Sequence, residues 1–196
     1  MRKKLTPRQL KSIETRKTIF QAVCRLVNQD DGGFTVQDIC SEAGVSNGTF
    51  YHYYKSKEGV LEDYYPIFNE EIERISETLP EEPEPRITGI LKAMIQYSVE
   101  QGIAFQKFAF TYIGGSGAEH GMVERSSSMD ILCDSLAKGV QSGRFTCPKG
   151  TEYYARLLIT IFQGTLHWWT ETGGGFDAVE RIQSYTEDIL RLITIQ

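Results

Sequence analysis

The 196-residue chain contains no run of about 18 apolar residues, so no membrane-spanning helix is predicted. Its basic N-terminus, MRKKLTPRQL, lacks the apolar segment of a secretory signal, and we therefore expect a cytoplasmic protein. Hydrophobic residues make up 40% of the chain and aromatic residues 11%, which is enough for a packed globular core.

Cysteine and histidine are few and scattered. No CxxC pair occurs, and no cysteine lies near a histidine at metal-ligand spacing, so neither a zinc site nor a disulfide framework is predicted. We interpret the cysteines as buried thiols. No Ser/His/Asp or Cys/His arrangement indicates an enzyme, and no cofactor is predicted. The residues are Cys24, Cys40, Cys133, Cys147, His52, His120 and His167.

The net charge of −5 is distributed unevenly along the chain. Residues 1–60 contain ten Lys and Arg against six Asp and Glu, whereas residues 61–196 contain eleven against twenty. An N-terminal group of basic residues is accompanied only by Glu14, which is typical of a surface that faces DNA phosphates; a solubilising tail is the alternative. The group is Arg2, Lys3, Lys4, Arg8, Lys11, Arg16 and Lys17.

Apolar residues recur at helical spacing along the chain, and no strand pattern or repeat competes with an all-α fold. Three prolines in PEEPEP, residues 80–85, predict a linker, and residues 114–117 predict a flexible break. We predict an N-terminal helix-turn-helix domain, residues 1–60, joined by a fourth helix to a helical domain, residues 61–196. Predicted helices cover about 7–29, two short segments after residue 35, a helix capped by Ser56, 87–113 with a possible kink at Gly102, 122–141, 151–172 and 178 onward.

Signals for two short helices and a tight turn follow one another in TVQDICSEAGVSNGTFYHYYKSK. Thr35 can cap the first helix, with Asp38 reaching back to the cap's N–H. Gly44 can take the left-handed conformation that ends this helix. Ser46 can cap the second helix, whose opening turns would meet DNA base edges while Phe50 packs inward. The pattern predicts a helix-turn-helix that binds DNA.

These residues resemble the TetR family of bacterial transcriptional regulators, through AGVS at 43–46, GTFY at 48–51 and YYKSK at 53–57. In the family signature, AGVS-x-GTLY-x-YF-x-SK, leucine stands at the position of Phe50 and phenylalanine at that of Tyr54. The resemblance covers roughly residues 14–65. It implies a sequence-specific DNA-binding regulator with a helical domain for effector binding and dimerisation.

The resemblance also implies two sets of contacts with double-stranded DNA. Thr35, Tyr51 and Lys57 are expected to bind phosphates, whereas Tyr54 is expected to pack beneath its helix. The residues expected to read bases include amides that can pair with adenine and a threonine methyl that can touch thymine. They are Gln37, Asn47, Gly48, Thr49, His52 and Tyr53; a surface position without a DNA role is the alternative for His52.

We hypothesise a ligand-responsive repressor that acts as a homodimer on a near-palindromic operator, with half-sites about 34–36 Å apart. The alternative is an architectural or constitutive DNA-binding protein without an effector. The dimer interface is predicted at Tyr154, Leu158, Ile161, Thr165, Ile182, Tyr185, Ile189 and Leu192. An apolar or aromatic effector is predicted to bind at Met94, Tyr97, Phe105, Phe108, Tyr112, Met129, Phe162, His167 and Trp168, each of which could instead belong to the core or interface.

Overall fold

The computed structural model describes residues 6–30, 33–116 and 126–195, and within these ranges the chain is helical and has no β-strand. The predicted all-α fold is confirmed. The α-helices are α1 Pro7–Asp30, α2 Val36–Ala43, α3 Asn47–Tyr53, α4 Tyr64–Ser76, α5 Pro83–Glu100, α6 Ile103–Ser116, α7 Ser127–Gln141, α8 Thr151–Glu171 and α9 Ala178–Ile193, and a 3-10 helix, Glu58–Asp63, precedes α4.

Some sequence predictions fall outside these ranges. They are the basic residues Arg2, Lys3 and Lys4, residue 117 of the predicted break, His120, and residues 122–125 of the predicted 122–141 helix. Residues 114–116 of the predicted break belong to α6, so a break there is wrong. None of the helices that the structure describes combines the length and apolar character needed to cross a bilayer.

Several predicted helix boundaries differ from the structure. Helix α5 begins at Pro83, inside the predicted linker, because proline is tolerated in a first helical turn, where N–H groups have no intrahelical partner. The predicted 87–113 helix is two helices, since Gly102 has a φ of 89° and interrupts it. Ser56 Oγ accepts the Gly59 N–H at 3.3 Å, but the helix that follows is a 3-10 segment whose cap position is Lys57, and α4 begins after Asp63, so the predicted Ser56 cap of the fourth helix is wrong.

The core consists of two clusters of buried apolar side chains. One joins α1, α2, α3 and the start of α4, and it includes Phe105 from α6, whose ring meets Phe20 edge-on at 5.6 Å. The other joins α4, α5, α7, α8 and α9 around residues such as Phe68, Met94 and Phe162. Helix α4 thus contributes to both clusters, and α6 packs against α1 although it follows α5 in sequence.

The end of α1 is fixed to the turn between α5 and α6. The Asn28 amide donates to the carbonyl oxygens of Cys24 and Gln101, at 2.7 Å each. A Cβ atom at Gly102 would lie 2.3 Å from Asn28 Oδ1, so this close approach, together with the positive φ, requires glycine. The contact joins α1 to the part of the chain that carries the second core.

Candidate nucleic-acid interface and effector domain

Helix α2 begins at a reciprocal cap. The Thr35 hydroxyl oxygen accepts the Asp38 N–H at 3.3 Å, and the Asp38 carboxylate accepts the Thr35 N–H at 2.7 Å. The hydrogen bonds from Thr35 hold the pKa of Asp38 below its usual value. At the other end Gly44, with a φ of 65°, donates its N–H to the carbonyls of Cys40 and Ser41. The capping box and the left-handed glycine predicted from the sequence are confirmed.

Helix α3 is fixed to the domain by its inward side. Ser46 Oγ accepts the Thr49 N–H at 3.1 Å and lies 2.9 Å from the Thr49 hydroxyl, so Ser46 is the predicted cap. Phe50 is completely buried, and Tyr54, where the helix ends, is 5% exposed. The two rings are 5.5 Å apart. Tyr54 therefore packs beneath α3, as predicted.

The residues predicted to read bases lie on the accessible surface of α2 and α3. Gln37, Asn47, Gly48 and His52 are exposed, and Thr49 and Tyr53 are half-buried. The His52 and Tyr53 rings meet edge-on, 4.8 Å apart. None of the six is fully buried, although Tyr53 packs against the N-terminal core.

The three predicted phosphate contacts differ in their surroundings. Thr35 is exposed, and Tyr51 is 59% exposed at the surface of α3. Lys57 is half-buried: its ammonium group donates to the Phe34 carbonyl at 2.9 Å and lies 4.6 Å from the centre of the Phe34 ring. Lys57 thus stabilises Phe34, the residue before the α2 cap, and it places a positive charge beside that cap. The sequence contained no signal for this contact, which spans 23 residues.

Two of the basic residues assigned to a DNA-facing surface have partners within the chain. Arg16 forms an ion pair with Asp63, and Lys17 Nζ lies 2.7 Å from the Glu70 carboxylate. The first pair joins α1 to the residue directly before α4, and the second joins α1 to the middle of α4. The charge pattern could not reveal them because both acidic partners lie far along the chain. Arg8 and Lys11 are exposed, as the prediction requires.

The thiols divide into two environments. Cys24 and Cys40 are buried, as predicted, and burial raises the pKa of Cys24 to about 12. Cys133 and Cys147 are only half-buried, so the prediction of a buried thiol is wrong for them. In the described part of the chain, no three His, Cys, Asp or Glu side chains are grouped so that they could hold a metal ion.

The predicted dimer residues do not share one surface. Four of them are buried inside the chain, so the prediction that they contact a partner chain is wrong for these four: Leu158, Thr165, Ile182 and Ile189. The apolar stripe that they form on α8 and α9 packs on the chain's own core, as a regular helical stripe ordinarily does. The other four are accessible: Tyr154, Ile161 and Tyr185 are half-buried, and Leu192 is 82% exposed.

The nine residues predicted to bind an effector do not form one site; they are divided between the two cores and the surface. Met94, Met129 and Phe162 belong to the C-terminal core, whereas Phe105, Phe108 and Tyr112 belong to or pack against the N-terminal core. Tyr97 touches both cores. His167 and Trp168 are exposed, so these two do not line an enclosed pocket. Residue type alone could not show which core each side chain joins.

Comparison with known proteins agrees with this geometry. Residues 28–64 match the model of the bacterial regulatory proteins, tetR family. The chain is 25% identical over 167 residues to the HTH-type transcriptional repressor KstR2 of Mycolicibacterium smegmatis, covering 82% of this chain and 80% of the relative.

Solved structures share the fold. A TetR-family transcriptional regulator from Pectobacterium atrosepticum matches with a TM-score of 0.73 and 17% identity, over 98% of this chain and 99% of that one. Thermus thermophilus FadR, a TetR-family transcriptional repressor in complex with lauroyl-CoA, matches with a TM-score of 0.64 and 21% identity, over 90% and 93% of the two chains.

A capped helix-turn-helix with an accessible second helix, joined to a larger helical domain, defines the class of DNA-binding transcriptional regulators. Within that class, the matched segment, the repressor relative and the shared fold confirm the predicted resemblance to the TetR family. These relatives are regulators of transcription rather than enzymes.

Proposed function

We propose that this regulator is a ligand-responsive repressor, which binds a near-palindromic operator as a homodimer and leaves it when an effector binds. The observation that carries the proposal is the construction of α3. Its buried Phe50 and its Ser46 cap fix the helix, while the side of the helix away from the core presents polar and aromatic groups. A fixed helix with an accessible polar side is what major-groove recognition requires.

On this proposal, Gln37, Asn47, Gly48, Thr49, His52 and Tyr53 face bases, and Thr35, Tyr51 and Lys57 face phosphates. Thr49 shares a hydrogen bond with Ser46, so its methyl group is the part free to meet a thymine methyl. Lys57 donates to the Phe34 carbonyl and is only half-buried, so part of its side chain lies at the surface beside the α2 cap. The roles are therefore compatible with the contacts inside the chain.

Asn47→Ala tests base reading, because Asn47 is exposed and its loss should leave the fold intact. We expect the affinity for a duplex selected by the wild type from a random library to fall about 10- to 100-fold, the usual discrimination of one bidentate contact. The affinity for a scrambled duplex should stay unchanged. Gel shift measures both, with Gln141→Ala, an exposed amide at the end of α7, as the control.

Failure of the wild type to select any duplex would contradict the proposed function. Equal effects of Asn47→Ala and Gln141→Ala would instead remove Asn47 from the base contacts.

Accessible apolar side chains on α8 and α9, on the side away from the buried stripe, support the proposed dimer. Ile161, Gly164 and Trp168 recur along α8, and Tyr185 and Leu192 lie two turns apart on α9. Trp168 is 49% exposed and Leu192 82% exposed, so both present apolar area that a partner could cover. A Cβ at Gly164 would meet nothing within 4 Å, so a partner helix could approach closely there. Two such surfaces related by a twofold axis would form a four-helix interface.

Ile161→Asp and Leu192→Asp should each convert the dimer to monomer, because a charge buried between two chains has no partner. Sedimentation velocity measures the change at a concentration where the wild type is dimeric. Val140→Asp is the matched control, since Val140 is 41% exposed but lies on α7. If both test variants remain dimeric, the interface is elsewhere.

The C-terminal core holds features suited to an effector. Phe68 on α4 stacks on Phe162 of α8, with ring centres 6.2 Å apart. Among the described residues, three buried polar atoms have no hydrogen-bond partner, and they belong to residues close in sequence to Phe68, Met129 and Phe162: Asn69 Oδ1, Ser128 Oγ and Thr165 Oγ1. Buried polar groups are ordinarily paired, so each is available to a bound molecule.

We infer an effector with an apolar or aromatic skeleton and at least one hydrogen-bonding group. The lauroyl-CoA bound by the Thermus thermophilus relative combines an apolar chain with polar groups, and it is a suitable first probe. Of the predicted effector residues, Met94, Met129 and Phe162 lie in this core, and Tyr97 lies at its edge.

Thr165→Val tests whether the Thr165 hydroxyl is free for a ligand. Removing a buried hydroxyl without a partner should leave the free energy of unfolding unchanged or raise it, whereas removing a bonded one should lower it by about 1 kcal/mol. Thr186→Val is the bonded control, because the Thr186 hydroxyl donates to the Ile182 carbonyl at 2.7 Å. Urea denaturation compares the two.

In the same variants, lauroyl-CoA and a panel of planar aromatic compounds test ligand binding. A compound that uses the core should raise the Tm of the wild type more than that of Thr165→Val, and it should release the operator. Equal destabilisation by Thr165→Val and Thr186→Val would contradict the unpaired hydroxyl, and the absence of any Tm shift would favour the constitutive alternative.

A further inference from the structure

Asp63 is a buried carboxylate at the point where three elements of the N-terminal domain meet. It is the last residue of the 3-10 helix, directly before α4, and it is 2% exposed. A buried charge is costly unless it is paired and hydrogen-bonded. Its partners, Arg16 on α1 and Tyr54 at the end of α3, lie 47 and 9 residues away in sequence.

The geometry satisfies both oxygens of the carboxylate. Arg16 Nε donates to Asp63 Oδ2 at 2.9 Å, and Arg16 Nη2 donates to Oδ1, which makes the pair bidentate. The Tyr54 hydroxyl donates to Oδ2. Burial raises the pKa of Tyr54 and the charge of Asp63 raises it further, so the hydroxyl keeps its proton at neutral pH. The Arg16 guanidinium and the Tyr54 hydroxyl therefore both remain hydrogen-bond donors at neutral pH.

The same residues connect the DNA-reading helix to the helix that enters the effector domain. The Tyr54 N–H closes α3 by donating to the Phe50 carbonyl at 2.9 Å. Asp63 directly precedes Tyr64, whose ring stacks with Phe20 of α1 at 6.2 Å. One turn further along α4, Phe68 reaches Phe162 in the C-terminal core. The start of α4 and the end of α3 are thus joined directly through the Tyr54–Asp63 hydrogen bond.

We propose that Arg16, Asp63 and Tyr54 form a positioning clasp that sets the orientation of α3, so that Arg16 contributes to operator recognition without touching DNA. The proposal rests on the proposed function for its effect on DNA. It also accounts for the departure of Tyr54 from the family signature, because phenylalanine at this position has no hydroxyl to donate to Asp63.

A phosphate contact is the competing role for Arg16, and salt dependence separates the two. A residue that neutralises a phosphate contributes about one to the slope of log affinity against log salt, and it strengthens binding to every sequence. A positioning residue affects the operator alone, because base contacts need the correct helix orientation and unspecific phosphate contacts do not.

Arg16→Gln and Tyr54→Phe are the test variants. Both should lower the affinity for the selected duplex about tenfold, comparable to one mismatched base pair. The affinity for a scrambled duplex and the salt slope should stay unchanged. Tyr64→Phe is the matched control, since it also removes a buried tyrosine hydroxyl. That hydroxyl lies 3.4 Å from Ser98 Oγ of α5, away from Asp63. The control should leave the ratio of the two affinities unchanged.

Hydrogen exchange tests the clasp without DNA. In Tyr54→Phe, which keeps the packed ring, the amides of α3 should exchange faster than in the wild type, while those of α9 should not change. This measurement decides the clasp even if Arg16→Gln fails to fold or the wild type selects no duplex, and the latter result would count against the proposed function alone.

Three results would overturn the clasp. They are a salt slope lowered by about one in Arg16→Gln with equal weakening on both duplexes, an unchanged affinity ratio in both variants, and unchanged α3 exchange in Tyr54→Phe.

Discussion

The burial of one negative charge constrains the N-terminal half of this protein. Asp63 can remain at 2% exposure only because Arg16 and Tyr54 surround its carboxylate with donors. The Arg16 side chain is 43% exposed, so water solvates part of its charge, but removing either donor would leave the buried carboxylate less compensated. The positions of α1, the end of α3 and the start of α4 are therefore not independent, although each helix has its own caps and apolar side.

The N-terminal helix-turn-helix domain and the C-terminal helical domain are joined by more than the continuous chain. Helix α4 contributes to both cores, and α6 places Phe105 against Phe20 of the N-terminal domain. Asn28 binds the α5–α6 turn through the Gln101 carbonyl. An effector that favours a different packing of α4 or α6 would therefore shift the recognition helices, and its preference for that state sets the size of the response. Under the proposed function, this packing is the route by which a ligand in the C-terminal core would control DNA binding.

Local signals in the sequence predicted local structure. The caps at Thr35 and Ser46 and the left-handed Gly44 depend on neighbours within a few residues, and all three were correct. The Arg16–Asp63 pair was missed because it spans 47 residues, and charge counting placed Arg16 at the DNA surface instead.

Apolar periodicity has a similar limit. It found α8 and α9 but could not distinguish the side facing the chain's own core, which contains Ile189, from the accessible side, which contains Leu192. The split of the effector residues between two cores has the same cause, because residue type does not specify the tertiary neighbour.

The most direct test of the account is methylation protection of the wild-type protein on a selected duplex, because guanine N7 is read in the major groove. Two accessible α3 helices on a symmetric dimer should protect two clusters of guanines, related by a twofold axis and about one helical turn apart. Protection of a single cluster, or the absence of major-groove protection despite binding, would contradict it.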